Sequence, residues 1–555
     1  MGSLARVHRW QFLIAFLGGV LLVGLLGVVA YNYTTVSIPT YGGVYREGVA
    51  GSPRYLNPLL SPFNLVSQDI NSLIYRGLGR FDEQGQVVPD LAERWDVSPD
   101  ARIFTVYLRP GQRWQDGVPI TAEDVVFTFS TLQNPQFPGD PTVIQSWQSV
   151  KIEQLDELTV RFTLPEPLAP FLDELTTGLL PAHVWRDIPP HLMDRSRLNF
   201  QPVGSGPFQV ATLNAISMTL KPNPQYGGPR PYIEAINFRF YPDDASVLEA
   251  YQQGEVDAVS RILPQDLPTA QSLEDMNIFF SAMPGYAIIL LNEKNPNVPF
   301  FKDKRVRQAL LYAIDREGLI QKYLNGMGIV AHSPFLPHTW AYAADVPKYP
   351  YDPEKARALL EEAGWTDVDG DGVREQEGKP LRFTLHGDDD PARTAILKAV
   401  AAYWHAVGVD AVARPVSFPG LVSDFLEPHT FEAALVFWRL YGDPDPYPLW
   451  HSSQIESGQN YAGWDNLDAD HLMETARRTP DLNRRIRLYH EFQHLFAEEV
   501  PGLLLYHPVY GFGVRNTIKN VTIGPLHRPG DRYRTLASWY IRTRRVPIVQ
   551  AETRE

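Results

Sequence analysis

The 555-residue sequence contains no cysteine, and this absence removes several kinds of chemistry at once. Without a thiol the chain cannot form disulfides, a thiolate metal site, a cysteine nucleophile or a lipid-modified cysteine anchor. A surplus of positive charge is lacking too, because 50 Lys and Arg stand against 64 Asp and Glu, for a net charge of −14. Nucleic acid is therefore not an expected partner, since no basic field extends over the molecule to collect phosphates.

Apolar residues, by contrast, are abundant. Hydrophobic residues make up 44% of the sequence and aromatic residues 12%, which excludes a disordered or fibrous chain. Strand-like and helix-like hydrophobic patterns alternate between 48 prolines and 40 glycines, so the sequence predicts a mixed α/β protein of about three domains. Strands are predicted at 103–108, 158–164, 236–241, 287–291, 381–385 and 433–438.

Two predicted helices have readable ends. Thr121, followed three residues later by Asp124, predicts a helix that begins with a capping box. Asp352 predicts the start of a second helix, with Pro353 at its first position and Gly364 just past its end.

One long hydrophobic run lies near the N-terminus. An unbroken apolar stretch covers residues 12–30 and follows Arg6, His8 and Arg9. As a helix with ~1.5 Å rise per residue it would be about 28 Å long, close to the thickness of a bilayer core. The run therefore predicts one N-terminal transmembrane helix.

The charges before this helix predict its orientation. They hold residues 1–11 in the cytoplasm as a short stub, so everything after Tyr31 is expected outside the cytoplasm. The helix is either an uncleaved anchor or a signal segment, and we favour the anchor because the run is longer than a usual signal core. An anchor predicts a membrane-tethered protein, and a cleaved signal predicts a periplasmic or secreted one. Residues 31–40 are expected to form a linker.

A series of short motifs runs in a fixed order along the rest of the chain. They are LNP at 56–58, IYRGL at 74–78, PDLAERW at 89–95, WQDG at 114–117, TAEDV at 121–125, GSGPF at 204–208, VRQAL at 306–310, the helix at 352–365 and the segment 438–452. Each motif alone is a weak signal. Together and in this order they resemble the extracellular solute-binding proteins of family 5, the dipeptide- and oligopeptide-binding receptors of ABC importers.

The resemblance implies a periplasmic-binding-protein-like fold of type II, with two lobes that close on a solute about a hinge, and one extra domain. Lobe I would comprise residues 41–78, 200–280 and 511–545, the extra domain residues 79–199, and lobe II residues 281–510. It also implies a monomer that delivers a peptide to the permease and ATPase subunits of an ABC transporter. No catalysed reaction and no cofactor are expected.

Candidate ligand-binding residues follow the last predicted strand, at a strand end, where ligand clefts of α/β proteins form. The resemblance places Trp438, Arg439 and Tyr441 in the segment that contacts the ligand. In the family's peptide receptors an aspartate binds the peptide ammonium here, because a buried charge needs an opposite partner. Tyr441 occupies that position in this sequence. Asp443 and Asp445 are candidate replacements, and both also read as turn-formers before proline.

A second ligand contact is expected in lobe I. Phe63, Asn64 and Leu65 align with a strand that, in the family's peptide binders, pairs with the backbone of an extended ligand. Such strand addition supplies hydrogen bonds that do not depend on the ligand's side chains. An ordinary exposed loop is the alternative for these residues.

Aromatic candidates leave the chemical class of the ligand open. Tyr286, Tyr461 and Trp464 are candidates for packing against a solute, or are core residues, in a chain with 12 Trp, 26 Tyr and 27 Phe. Aromatic stacking and the missing carboxylate would also fit a neutral ligand, so an oligosaccharide receptor is the alternative within this class.

An acidic run has the spacing of a calcium loop. Asp367, Asp369 and Asp371 supply oxygens at positions one, three and five, but the twelfth position is glycine instead of glutamate. Glu375 or Glu377 would have to complete the shell of a structural calcium ion. A solvated turn is the alternative.

The sharpest competing motif belongs to an enzyme class. His490, Glu491 and His494 fit the zinc-protease pattern, with two histidines one helical turn apart and a glutamate as general base. Helical periodicity places this trio opposite the buried face marked by Tyr489 and Phe496, which favours a solvated surface. A membrane-anchored zinc endopeptidase is therefore the alternative from another class, and an anchored protein that has lost transport is a third.

Overall fold

The computed structural model of the chain describes residues 2–61, 64–440 and 442–548. The strands of these residues, β1 to β22 in chain order, are Thr35–Thr40, Val44–Ala50, Gly79–Phe81, Val87–Pro89, Ala92–Val97, Ile103–Leu108, Lys151–Gln154, Thr159–Thr163, Phe208–Leu213, Ser217–Pro222, Ala235–Tyr241, Ala258–Ile262, Met276–Ala282, Gly285–Leu291, Gly328–Val330, Glu375–Gln376, Lys379–Pro380, Arg382–Asp388, Asp410–Val416, Ala433–Arg439, Gly502–Arg515 and Arg542–Pro547.

The α-helices, α1 to α15 in chain order, are Gly2–Thr34, Leu65–Ile74, Ala122–Gln133, Pro141–Trp147, Ala182–Trp185, Asp244–Gln252, Leu267–Gln271, Lys304–Tyr312, Arg316–Leu324, Pro353–Glu362, Pro391–His405, Phe418–Gly420, Tyr447–Trp450, Leu467–Arg477 and Leu482–Glu499. Short 3₁₀ helices cover Ala169–Thr176, Pro190–Arg195, Arg197–Phe200, Pro264–Asp266, Pro299–Lys302, Ser452–Gln454, Pro529–Tyr533 and Leu536–Ser538, and a π-helical turn covers Leu421–Leu426.

The local sequence signals are confirmed where they were clearest. All the strands predicted from hydrophobic patterns form, and β6 has the bounds that the sequence predicts. At the start of α3 the Thr121 side chain accepts the amide of Glu123, and Asp124 accepts the amide of Thr121, which completes the predicted capping box. Asp352 caps α10 by accepting the amide of Lys355 at 2.9 Å.

A 12-stranded mixed sheet forms the centre of the molecule, in the order β19-β18-β20-β14-β21-β12-β2-β11-β10-β9, with β13 and β15 also paired to β21. Strand β21 is 14 residues long and serves both halves of this sheet. Its first half pairs with β14 and β15, and its second half pairs with β12 and β13. One continuous strand therefore joins the parts of the chain expected in lobe II and in lobe I.

The region 79–199, expected as the extra domain, builds a four-stranded sheet in the order β5-β6-β8-β7. Its aromatic core is not separate from that of lobe I. Phe104, Trp147 and Phe162 belong to the same continuous buried cluster as Tyr45 and Trp539. The residue boundaries of the domains stay a prediction.

The N-terminal helix α1 contains the hydrophobic run, and residues Ala15–Thr34 are long and apolar enough to cross a membrane. Length and composition are the basis of this finding, and a signal sequence would meet the same test. The linker expected at 31–40 stays a prediction, and its residues form regular secondary structure. Helix α1 continues to Thr34, and β1 pairs antiparallel with β22, because the β-branched residues of β1 favour an extended strand and find a partner backbone there.

Candidate functional site

A narrow cavity, here called the cleft cavity, lies where lobe II faces the extra domain and the C-terminal part of lobe I. Its lining residues are Gln84, Gly85, Pro284, Gly285, Pro334, Leu336, Thr339, Trp340, Leu440, Gly442, Pro444, His507 and His527. The volume is about 30 Å³, which holds a water molecule or two but no amino-acid side chain of ordinary size. The two sides must therefore separate before a solute can enter.

Two neighbouring strands bring the lobe II side of this cavity together. Strand β14 begins at Gly285 and β20 ends at Arg439, and these two residues are paired across the sheet. Gly285 has φ +142°, and a Cβ there would lie 2.2 Å from the carbonyl oxygen of Trp438. Only glycine fits this close approach, which sets the rim of the cavity at the strand ends.

Trp340 connects the two sides. Its backbone amide donates to the carbonyl oxygen of Gln84 at 3.3 Å, across the cavity mouth. Its ring lies 5.7 Å from the ring of Tyr489 and 5.2 Å from the guanidinium of Arg485. The sequence carried no signal for this contact, because Gln84 is distant in the chain.

Two buried histidines line the cleft cavity from opposite sides. The Nδ1 of His507 lies 2.8 Å from the carbonyl oxygen of Gly285, and burial lowers the pKa of His507 to about 4. Burial also lowers the pKa of His527. Both rings are therefore neutral at pH 7, and the Nε2 of each has no hydrogen-bond partner among the residues described.

The two carboxylates that the sequence offered for an ammonium are already paired. Both carboxylate oxygens of Asp443 lie 2.8 Å from Nη2 of Arg485, and the hydroxyl of Tyr489 donates to Oδ1 at 3.1 Å. Oδ2 of Asp445 lies 2.9 Å from Nε of Arg477. Each carboxylate has an arginine of its own in this closed arrangement.

A third carboxylate faces them from the extra domain. Asp173 lies in the 3₁₀ helix Ala169–Thr176, and its side chain accepts the backbone amide of Asp443. In the described part of the chain no lysine, arginine or histidine forms an ion pair with it. Burial, followed by the charge of Asp443, raises the pKa of Asp173 well above its usual range. Asp173 therefore has no cation of its own, and in this arrangement burial and the charge of Asp443 favour its protonated, neutral form.

A larger cavity, here called the side cavity, continues the interface between the extra domain and lobe II. Its volume is about 300 Å³. Phe171 and Glu174 line it from the extra domain, and Tyr447 and Arg477 line it from lobe II. In the chain, Asp173 stands between Phe171 and Glu174, which line the side cavity. Asp443 stands between two residues that line the cleft cavity, so the contact of Asp173 with Asp443 joins the linings of the two cavities.

Two of the three aromatic candidates are core residues. Tyr286 is buried, accepts the indole NH of Trp450 at 3.2 Å and stacks edge-on with Trp438 at 5.7 Å. Trp464 is buried against Trp450. Tyr461 is half-buried and does not line either cavity. Neither Tyr286 nor Trp464 contacts solvent in this conformation, as the core alternative predicts.

The strand expected at 63–65 is wrong for its described residues. Asn64 is the N-cap of α2, where its side chain accepts the amide of Ser67 at 2.7 Å, and Leu65 begins the helix. Asparagine satisfies an otherwise free helix amide better than most residues, and this local preference overrides the aligned strand. Phe63 and Tyr441 lie outside the described residues. At the end of β20, Trp438 is half-buried and Arg439 is exposed.

The acidic turn gathers the expected ligands. Carboxylate oxygens of Asp367, Asp369, Asp371 and Glu375 lie within 4.8 Å of one another, so Glu375 and not Glu377 completes the group. The turn uses part of this oxygen surface itself, because the amide of Gly372 donates to Asp367 at 3.1 Å. The arrangement matches the donor set of a calcium loop, and ion binding stays a prediction.

The histidine pair lies on the outer face of α15. Glu491 is exposed and His490 is half-buried, and Nε2 of His494 lies 3.2 Å from Asp345. Gln493, in the middle of the motif, is fully buried and bonds the backbone of Ala341 and Ala343. Within the described ranges, the acidic turn is the one cluster of three or more metal-ligating groups.

The chain is similar to known proteins over most of its length. The family profile described as bacterial extracellular solute-binding proteins, family 5 Middle, matches residues 86–460. The oligopeptide-binding protein AppA of Bacillus subtilis (strain 168) is 32% identical over 479 residues, which cover 85% of this chain and 87% of that protein. The dipeptide-binding protein of Escherichia coli (strain K12) is 28% identical over 502 residues, covering 86% and 91%.

A solved structure extends the likeness to three dimensions. The oligopeptide-binding protein AppA from Bacillus subtilis, in complex with a nonapeptide, matches with a TM-score of 0.69 at 30% identity. The match covers 91% of this chain and 100% of that one. The type II periplasmic-binding-protein fold and its mixed α/β class are thereby confirmed.

Proposed function

The chain belongs to the bacterial extracellular solute-binding proteins of family 5, and from this premise we propose that it captures peptides outside the cytoplasm and delivers them to an ABC transporter. The observation that carries the peptide assignment is the likeness, over most of both chains, to proteins named for oligopeptide and dipeptide binding. The site works by binding and release, and no catalysed step is needed.

The cleft cavity is the proposed ligand site, and it is proposed to enlarge when the lobes separate. A peptide would replace the contact between Trp340 and Gln84 and lie against the segment that follows β20. Because His507 and His527 are neutral and each has an unpartnered Nε2, both can accept N–H groups of a peptide backbone. Acceptors of this kind do not depend on the peptide's side chains, which suits a receptor of broad specificity.

We propose Asp173 as the partner of the peptide ammonium. Asp443 and Asp445 were the candidates from the sequence, but each is neutralised by an arginine. Asp173 forms no ion pair with a described lysine, arginine or histidine, and it lies against Gly442, next to the position where peptide receptors of the family place their aspartate. A peptide ammonium beside Asp173 would favour its ionised carboxylate and offset the repulsion from Asp443.

Calorimetric titration of the full chain in detergent tests the peptide assignment and the role of Asp173. Short peptides with a free N-terminus should bind, and N-acetylated copies of the same peptides should bind at least tenfold more weakly. The Asp173→Asn variant should lose this preference for the free N-terminus, while Asp187→Asn, an exposed change in the same region outside both cavity linings, should keep it. Binding of oligosaccharides without binding of peptides would overturn the peptide assignment.

The other readings of the sequence receive less support. The comparisons favour neither the oligosaccharide receptor nor the zinc endopeptidase. Metal analysis and a protease assay test the zinc endopeptidase. Stoichiometric zinc, together with proteolysis that disappears in Glu491→Gln, would overturn the receptor function in favour of an enzymatic one.

Several finer features belong to the same proposal. We propose that α1 stays uncleaved and anchors a monomeric receptor outside the cytoplasm, where it meets the permease and ATPase subunits of its transporter. We also propose that the acidic turn binds a calcium ion with a structural role, separate from solute recognition. Mass spectrometry of the mature chain tests the anchor directly.

A further inference from the structure

The end of the chain returns to the N-terminal helix. Strand β1 follows α1 without a break, and it pairs antiparallel with β22, from Thr40 opposite Arg542 to Thr35 opposite Pro547. Strand β22 therefore runs toward the end of α1. These two strands, here called the stem ribbon, replace a flexible linker by a hydrogen-bonded connection between the helix and the body.

The stem ribbon carries three exposed arginines. Arg542, Arg544 and Arg545 are exposed, and none of them forms an ion pair with a described acidic residue. Side chains alternate along a strand, so Arg542 and Arg544 lie on one face of the ribbon and Arg545 lies on the other. Positive charge is thus present on both faces.

One of these arginines is held at the end of the helix. The guanidinium of Arg545 donates to the side chain of Asn32 at 2.5 Å and to the hydroxyl of Thr35 at 3.2 Å. It also lies 5.3 Å from the ring of Tyr31. The charge is therefore fixed at the level where a membrane-spanning α1 would leave the bilayer.

Two further cations lie close to the ribbon. Arg230 is exposed and lies 4.6 Å from the ring of Tyr41, one residue past β1. Lys519 is exposed and forms a backbone bridge with Tyr540, two residues before β22. The protein as a whole has a net charge of −14, so this concentration of positive charge is opposite in sign to the rest.

We propose that the stem ribbon binds the phosphate groups of anionic phospholipids and holds the receptor body close to the membrane surface. The proposal rests on the proposed anchor. Arginine forks bind phosphate oxygens in pairs, and a guanidinium gives up its hydration more readily than an ammonium does. A body of net charge −14 would otherwise be repelled by an anionic membrane, so the ribbon supplies attraction at the end of α1, where that helix would leave the bilayer.

The position of these arginines in the sequence removes a conflict with membrane topology. Basic residues directly outside a transmembrane helix usually oppose its orientation when they follow it closely in the chain. Here they stand at the far end of the chain and reach the helix only after β22 has paired with β1. The fold thus places positive charge on the outer side of the membrane without disturbing the insertion of α1.

The absence of cysteine makes the test direct, because one introduced thiol can be labelled alone. A fluorophore on Thr543→Cys, an exposed position of β22, reports on the ribbon in the full chain reconstituted into vesicles. A second label on Val412→Cys serves as reference. It lies on β19, six strands away from β2 in the sheet order, roughly 30 Å at about 4.8 Å per strand.

Quenching by a nitroxide on the lipid headgroup measures proximity. With phosphatidylglycerol in the vesicles, quenching at 543 should rise above its level in pure phosphatidylcholine and fall again in high salt, while quenching at 412 should not change. The ribbon variant, with glutamine at 542, 544 and 545, should lose most of this rise in quenching, since each arginine contributes roughly fivefold and the three together roughly a hundredfold. A matched control removes three exposed arginines elsewhere, Arg414, Arg484 and Arg487.

Each outcome either supports or overturns the contact between the stem ribbon and anionic lipid. Equal quenching at 543 in neutral and anionic vesicles, or an equal effect of the control triple, overturns the lipid contact. A response that appears only when the transporter is added would assign the ribbon to a protein partner instead and also overturns it. Peptide titration on the same vesicles and the intact mass of the chain show separately whether the receptor function or the anchor has failed.

Discussion

Replacing Asp443 by asparagine should destabilise the unliganded protein, because it leaves a buried guanidinium without its counter-ion. The side chains of Asp443 and Arg485 are only 9% and 7% exposed, so water cannot take the place of the lost charge. Removal of one partner from a buried pair typically costs about 3 to 5 kcal/mol. Asparagine keeps one acceptor for Arg485, and the loss of charge relieves the repulsion from Asp173, so we expect about 2 to 3 kcal/mol.

This free energy translates into a measurable shift. For domains of this size, roughly 2 to 4 °C of melting temperature correspond to 1 kcal/mol, so the apparent melting temperature should fall by about 4 to 12 °C. Differential scanning fluorimetry of the full chain in detergent, without ligand, is the assay. The matched control is Asp445→Asn, whose partner Arg477 is 28% exposed and can be hydrated in part. We expect about 1 kcal/mol for it.

The comparison between the two variants decides whether Asp443 is a structural residue. A melting temperature of Asp443→Asn within about 1 °C of the unchanged protein would refute the reasoning. Equal destabilisation by Asp445→Asn would refute it as well, because burial would then not explain the difference. A loss of peptide binding without a change in stability would return Asp443 to the role that the sequence suggested.

The remaining predictions concern other parts of the chain. Burial raises the pKa of Glu293 from 4.5 to about 7, so its charge costs stability as the pH rises from 4.5 through 7. Because Glu293 also lies 3.6 Å from the buried Arg307, the test is a difference between two pH values: the melting temperature of Glu293→Gln relative to the unchanged protein should be higher at pH 8 than at pH 5, and an equal difference at both would contradict this. Gly285→Ala should lower the melting temperature and weaken peptide binding more than Gly111→Ala, whose φ of +76° is also positive but which has open space around it; equal effects would show that the contact with Trp438 is unimportant. Calcium should raise the melting temperature of the unchanged protein but not of Asp369→Asn, and a rise in both would exclude the acidic turn.

Local signals made part of the fold predictable. The alternation in β6 and the cap at Thr121 involve residues close together in the chain, so the sequence alone specifies them. Asn64 is a residue type favoured at helix N-caps, and the structure shows a helix start there instead of the strand that the resemblance implies. A short-range preference was the better guide at this position.

Contacts between distant residues were not predictable. The pairing of β1 with β22 joins the two ends of the chain, and no composition or periodicity marks two short polar strands as partners. The same holds for Asp173, which meets Asp443 only after both domains have folded. The sequence could name the segment after β20 as part of a site, but it could not show that arginines neutralise its carboxylates.

The common core of the extra domain and lobe I has a mechanical consequence. Because Phe104 and Tyr45 belong to one buried cluster, the extra domain and lobe I should move as one rigid body. Strand β21 crosses from this body to the other half of the sheet. Asp173 lies on the extra domain, at its contact with lobe II. A small twist along β21 would then produce a large displacement at the Asp173 contact. The cleft between the lobes would open while the strand pairs of the sheet stay hydrogen-bonded.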